Sequence, residues 1–162
     1  MHSSSRSTLR PTVGGKAEVA LAATGASMQA LEEDVLGDIL ESLRALNLPS
    51  QVAPKYRYPS PGSLYAVQCY LFASGQDSVR VPKGGYYYHP SDHALCATPV
   101  DEAAAQNETF ILFVADMRAI ESKYGEFSLQ LCELECGHML HCLKSACSSH
   151  HLSCEPVWAS GQ

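Results

Sequence analysis

Soft metal ligands crowd the last third of the chain: Cys132, Cys136, His138, His141, Cys142, Cys147, His150, His151 and Cys154. Thiolates and imidazoles at such density suit zinc chemistry. Their spacing argues against it. No C-x-x-C occurs. At about 100° per residue along a helix, Cys132 and Cys136 share one face, His138 and Cys142 share another, and His141 points away from both. Four ligands do not converge without breaking the helix, and small buried thiols in place of alanine account for most of the cysteines. The tail group Cys147, His150, His151 and Cys154 could still bind a metal adventitiously. The reading is therefore no metal site, with a zinc-binding structural domain kept as an alternative.

A second segment with chemical potential is KYRYPSPGSLYAVQ, Lys55 to Gln68. Read alone, PSPGS is a turn, with proline fixing φ and glycine free to take conformations closed to other residues. The chain as a whole sets limits on partners. Its 162 residues suit one compact domain. The formal net charge of −6 argues against nucleic acid as a partner, because phosphate binding needs a basic surface. No apolar run approaches the ~20 residues that span a bilayer. The seven cysteines are odd in number and no secretory apolar segment precedes them, which indicates reduced thiols and a cytoplasmic protein. The first sixteen residues contain Ser, Arg and Lys but no acid, a faint organelle-targeting flavour.

The elements that must position these residues follow from periodicity. Residues 1–26 show no sustained period and read as disordered or loosely ordered. Ser27 can cap a helix running to Leu46, with Met28, Leu31, Val35, Ile39, Leu43 and Leu46 on one face. Val67 to Phe72 reads as a strand. Gly84 to Tyr88 begins another, and Pro90-Ser91-Asp92-His93 turns it back to Ala94–Ala97 as a hairpin. Phe110 to Val114 is a continuous apolar run, as in a buried strand. From Phe127 to Ser148, Leu131, Leu134, Met139, Leu143 and Ala146 recur at helical spacing and predict a largely buried helix. Helix, strands and helix in this order give an α+β fold over residues 27–162.

Four of these segments, in order, resemble one family. KYRYPSPGSLYAVQ is similar to the PSAGSLYPVQ-type segment of FMN-dependent oxidase domains in nonribosomal peptide synthetases of the indigoidine type. The thiazole- and oxazole-forming (SagB-type) dehydrogenases share it in looser form. GGYYYHPSDHAL resembles the G-x-Y-x-Y-x-P-x-x-H-x-L hairpin of that group, SKYGEF its K-Y-G segment, and LCELECGHMLHCL its L-L-E-A-G-H helix. The resemblance implies a nitroreductase-like fold, with a central antiparallel or mixed sheet packed by helices, FMN as cofactor and a homodimer with the site at its interface. After the central helix the family pattern continues with a G-L-G-type turn and a strand. Ser149–Ser153 stands at that turn and the chain ends at Gln162, so it reads as a partial, C-terminally truncated domain.

Carried onto this sequence, the resemblance places Pro59, Ser60, Gly62, Ser63 and Leu64 against the flavin. Glycine there lets backbone approach a flat ring, and the serines can hydrogen-bond its polar edge. Pro61 stands for the usual alanine and removes an N–H, and Ala66 stands for the usual proline. Arg6, Thr8 and Arg10 have the spacing of the family's phosphate-holding segment, where guanidinium groups pair with phosphate oxygens. Lys123 and Tyr124 match the family's catalytic pair, in which one removes a proton from a carbon that passes a hydride to flavin. Glu135, Gly137 and His138 match the central helix, with Cys136 for alanine, Gly137 allowing close packing and His138 structural. The implied function is oxidation of a peptide-derived or carrier-bound substrate, an azoline to an azole or an amino-acid dehydrogenation. The alternative is a non-catalytic nitroreductase-like module that acts through dimerisation or partner binding.

Overall fold

The fold is taken from a computed structural model, which describes residues 28–30, 35–49, 51, 53–75, 81–99 and 109–156. Its centre is the strand Val67–Ala73, every residue of which is buried. Among the described residues there are seven strands: β1 Met28–Ala30, β2 Ala45–Leu46, β3 Lys55–Tyr56, β4 Val67–Ala73, β5 Gly84–His89, β6 Ala94–Ala97 and β7 Phe110–Ala115. The helices are α1 Val35–Glu41, α2 Glu121–Tyr124 and α3 Ser128–Ser149. Five strands form one sheet in the order β1-β6-β5-β4-β7, all neighbours antiparallel, and β2 pairs with β3 apart from it. The α+β architecture and the antiparallel sheet agree with the sequence reading.

One face of the sheet carries the main core. There Val67, Cys69 and Leu71 of β4 join Tyr88 and Leu95, and α1 and α3 cover them with Leu36, Leu40, Met139 and Leu143. On the opposite face Tyr70 and Phe72 form a smaller cluster with Tyr87 and Val114. Phe72 stacks nearly parallel on Phe110 at 4.8 Å. Among the described residues no helix is long and apolar enough to cross a membrane.

Three expectations need correction. The single helix expected from Ser27 to Leu46 is instead a strand, a seven-residue helix and a second strand. Met28–Ala30 pairs with Ala94–Cys96, and Ala45–Leu46 pairs with Lys55–Tyr56, so ladder hydrogen bonds at both ends displace the helix. The buried side chains of α1 are Leu36, Ile39 and Leu40, with Leu43 buried just beyond its end, while Val35 is exposed. Second, β7 is an edge strand among the described residues, with Phe110 and Leu112 each about 40% exposed, rather than a strand buried on both faces. Third, α3 turns a different stripe inward. Ser128, Cys132, Glu135, Met139, Leu143 and Cys147 are buried, whereas Leu134 is exposed and Leu131 and Ala146 are half-buried.

Candidate functional site

A serine, two prolines and a glycine between β3 and β4 make a tight 3₁₀ turn at Pro61–Ser63. Ser63 N–H donates to the Ser60 carbonyl at 3.0 Å and Leu64 N–H to the Pro61 carbonyl at 3.2 Å. The backbone is left-handed at Gly62 (φ 61°), Ser63 (φ 56°) and Tyr65 (φ 51°). Such a conformation costs a non-glycine residue about 1–2 kcal/mol, so two of the three need outside support.

Glu135 of α3 supplies that support. Its side chain is fully buried. Ser60 Oγ donates to one carboxylate oxygen at 2.6 Å and Val67 N–H to the other at 3.2 Å. The Ala66 N–H donates as well. A proline at position 66, usual in the resembling family, would have no N–H to give. Tyr65 N–H in turn donates to Ser60 Oγ at 2.8 Å. The serine hydroxyl is thus engaged as donor and acceptor within the chain, leaving one lone pair for a ligand. Burial pushes the Glu135 carboxyl above its ordinary range, and the Ser60 and amide hydrogen bonds pull it back down.

The turn faces α2. A Cβ placed on Gly62 would lie 2.6 Å from Lys123 Nζ and 2.7 Å from Tyr124 Oη. The structure therefore brings Gly62, Lys123 and Tyr124 together, although 60 residues of sequence part them (123 less 62, with neither end counted). Lys123 is exposed and Tyr124 half-buried, with the ammonium 5.3 Å from the phenol ring centre. On the other side Lys55 Nζ donates to Ser63 Oγ at 2.6 Å. Tyr65 stacks on Tyr56 at 3.8 Å and its hydroxyl accepts from Tyr56 N–H. Pro59 and Gly62 are exposed, and Leu64 packs against the core. A planar ligand would find an exposed glycine flanked by ammonium and phenol groups, with hydroxyl donors along one side of the turn.

Lys55, Tyr65 and Glu135 as anchor are the members sequence reasoning missed. No local signal marked Glu135 as the anchor, because hydropathy puts Leu134 rather than Glu135 on the inward side of α3. Gly137 and His138 lie on the exposed side of α3, and no atom beyond the helix's own backbone lies within 4 Å of a Gly137 Cβ. Within this chain Gly137 mediates no close packing. Arg6, Thr8 and Arg10 lie outside the described residues, as does the N-terminal stretch expected to be disordered. Among the described residues no three Cys, His, Asp or Glu gather as metal ligands would.

No family model matches the sequence. Three solved structures share the fold. An inferred nitroreductase from Anabaena variabilis superposes with a TM-score of 0.65 at 18% identity, over 77% of this chain and 31% of the other. A second, from Ralstonia eutropha, gives 0.58 at 17% identity, over 77% and 59%. The E. coli microcin synthetase McbBCD complex with truncated pro-MccB17 bound gives 0.56 at 12% identity, over 92% and 65%. The chain is thus a nitroreductase-like α+β domain.

In sequence it is akin to a short stretch of the indigoidine synthases. It is 35% identical over 105 residues to that of Streptomyces lavendulae, covering 65% of this chain. It is 32% identical over 123 residues to that of Dickeya dadantii, covering 76%. The chain spans 8% of the length of either relative.

Proposed function

We propose that this domain is an FMN-dependent oxidase that takes two electrons from a peptide-derived or carrier-bound substrate. The observation that carries the reading is the convergence of Lys123 Nζ and Tyr124 Oη on the left-handed Gly62 of a turn anchored by Glu135. The sequence likeness to indigoidine synthases and the fold likeness to a microcin synthetase complex with its truncated propeptide bound favour a substrate of that kind. An azoline ring or a carrier-bound amino acid fits it.

FMN fits the residues present. Gly62 is exposed, with Lys123 and Tyr124 at its Cα, and Ser63, Lys55 and Leu64 offer donors and an apolar contact beside it. Ser60 has one lone pair left to contribute. Arg6, Thr8 and Arg10 are the groups proposed for the phosphate. FMN, when bound, supplies the electron acceptor, and dioxygen restores it. The chain's own residues do the rest. Glu135 fixes the turn, Lys55 holds Ser63, and Lys123 or Tyr124 receives the proton from the substrate carbon, each within reach of the other's charge. Seven free thiols accord with a cytoplasmic setting.

A homodimer belongs to the same proposal. Phe127, just before α3, and Leu134, seven residues on and on the same face, are each more than half exposed, an apolar surface suited to a second copy. That patch also favours the second reading, a module that dimerises without catalysing. Added FMN separates the two. The oxidase binds it and turns yellow, absorbing near ~450 nm as oxidised flavin does. A folded protein that takes up no FMN at saturating concentration leaves only the module.

A further inference from the structure

The C-terminal end of α3 holds a feature that the proposed oxidation does not use. His151 is left-handed (φ 58°), and Leu152 N–H donates back to the Cys147 carbonyl at 2.9 Å, closing the helix and reversing the chain. The reversal carries Cys154 back against the core cluster that contains Cys147, and burial, with Cys154 nearby, pushes the Cys147 thiol up. Lys144 Nζ lies 3.8 Å from Glu155 in the returning tail, and His150 Nε2, at the helix end, lies 3.5 Å from Asp38 of α1.

Other thiols differ. Cys132 and Cys136 neighbour each other only as i and i+4 on one helix. Their Cβ atoms there stand about 5–6 Å apart, beyond the roughly 3.5–4.5 Å that a disulfide requires. Cys69 is enclosed in the sheet core, and burial pushes its thiol up to about 12. Cys147 and Cys154 lie on separate segments that meet at a chain reversal, where side chains can turn toward each other without distorting a helix.

We propose that Cys147 and Cys154 form a peroxide-responsive thiol pair that closes to an intramolecular disulfide at the end of α3. Cys154, the more exposed of the two, is the attacking sulfur. Its thiolate displaces water from hydrogen peroxide and becomes a sulfenic acid. Cys147 then attacks that sulfur, its proton leaves with the departing hydroxyl as a second water, and the S–S bond forms. Two thiols and one peroxide give one disulfide and two waters. The pair stands apart from the site at Gly62, and the proposal holds whether or not the domain binds FMN. Its effect is to staple the last helical turn to the tail that follows.

Trypsin tests this directly, because no Lys or Arg follows Lys144 and both cysteines fall in the peptide 145–162. The folded, reduced protein is treated with hydrogen peroxide, then alkylated and digested. The expected peptide is about 2 Da lighter than its reduced form and takes up no alkyl group until dithiothreitol is added. In the Cys154→Ser protein the peptide is expected to keep one alkylatable thiol. In Cys147→Ser, Cys154 is expected to stop at the sulfenic acid, about 16 Da heavier. The proposal is overturned if the treated wild-type peptide still accepts two alkyl groups. It is equally overturned if the peptide gains oxygen without bridging, or pairs with a cysteine elsewhere in the chain.

Discussion

Gly62 is the residue on which the site turns, and its replacement separates stability from function. An alanine there would take a strained φ, costing about 1–2 kcal/mol, and its methyl would displace the flexible ends of Lys123 and Tyr124. Gly62→Ala is therefore expected to lower the urea midpoint modestly and to reduce substrate oxidation by far more, a comparison made on the same preparation. Lys123→Ala is expected to leave FMN bound and to slow oxidation by about 10²–10⁴-fold, the usual contribution of a general base. Unchanged turnover would refute its role.

Glu135 makes a different prediction, in pH. Its folded-state carboxyl is raised above the ordinary value of 4.5, chiefly by burial. The folded chain thus binds this proton more tightly than the unfolded chain does. The resulting stability is fully present below the unfolded pKa and is lost as pH rises through the folded one. A Glu135→Gln protein has no such proton, so its stability relative to wild type should improve as pH climbs from about 4 towards neutrality. Urea midpoints across that range test the sign. Glu135→Ala is expected to be worse at every pH, because Ser60 Oγ and two amides lose their acceptor at about 1–3 kcal/mol for each buried orphan.

At the scale of elements, the hairpin β5–β6 is fastened to α1 through one histidine. Tyr88 Oη lies 2.8 Å from His93 Nδ1, and His93 Nε2 lies 3.8 Å from Glu41 at the end of α1. Glu41 also accepts from Arg57 at 2.8 Å and Arg44 at 3.1 Å. The Tyr-x-Pro-x-x-His spacing read in the sequence therefore has a physical use, joining a buried phenol to a histidine held at φ 49°. His93→Ala would leave the Tyr88 hydroxyl buried without a partner, costing about 1–3 kcal/mol. Tyr88→Phe removes the hydroxyl itself, so it is expected to cost less, an ordering that chemical denaturation can check.

Elements also show where sequence reading stopped. The hairpin was legible because its turn residues and alternation are local. The helix expected over Ser27–Leu46 was not, because the partners of Met28–Ala30 lie at Ala94–Cys96 and no period of three or four reveals a distant strand. The inward stripe of α3 was misplaced for a related reason. Hydropathy favours Leu134, yet the helix turns Ser128 and Glu135 inward, since Glu135 finds its donors on β4 and the turn before it.

Across the whole molecule, the proposed dimer predicts a concentration-dependent mass. Leu134→Asp, which places a charge in the exposed apolar patch of α3, is expected to give a monomer by light scattering with unchanged circular dichroism. A wild-type protein that is monomeric at all concentrations would sink the dimer. The nitroreductase-like fold was legible at this scale because short motifs stand in order along the chain. The role of Glu135 as anchor of the Gly62 turn was not, because it depends on a contact between residues 75 apart.

That separation bears on how the protein is made. The segment around Gly62 leaves the ribosome early, while its acceptor at Glu135 has yet to be synthesised. Until the helix carrying Glu135 emerges, the left-handed residues at 63 and 65 have only the local contacts with Lys55, Tyr56 and Ser60 to hold them, and the turn samples other shapes. Contacts of long sequence separation form late in folding. The site is therefore among the last parts to take shape, and a nascent chain halted before Glu135 should bind no cofactor, however well the early strands have paired.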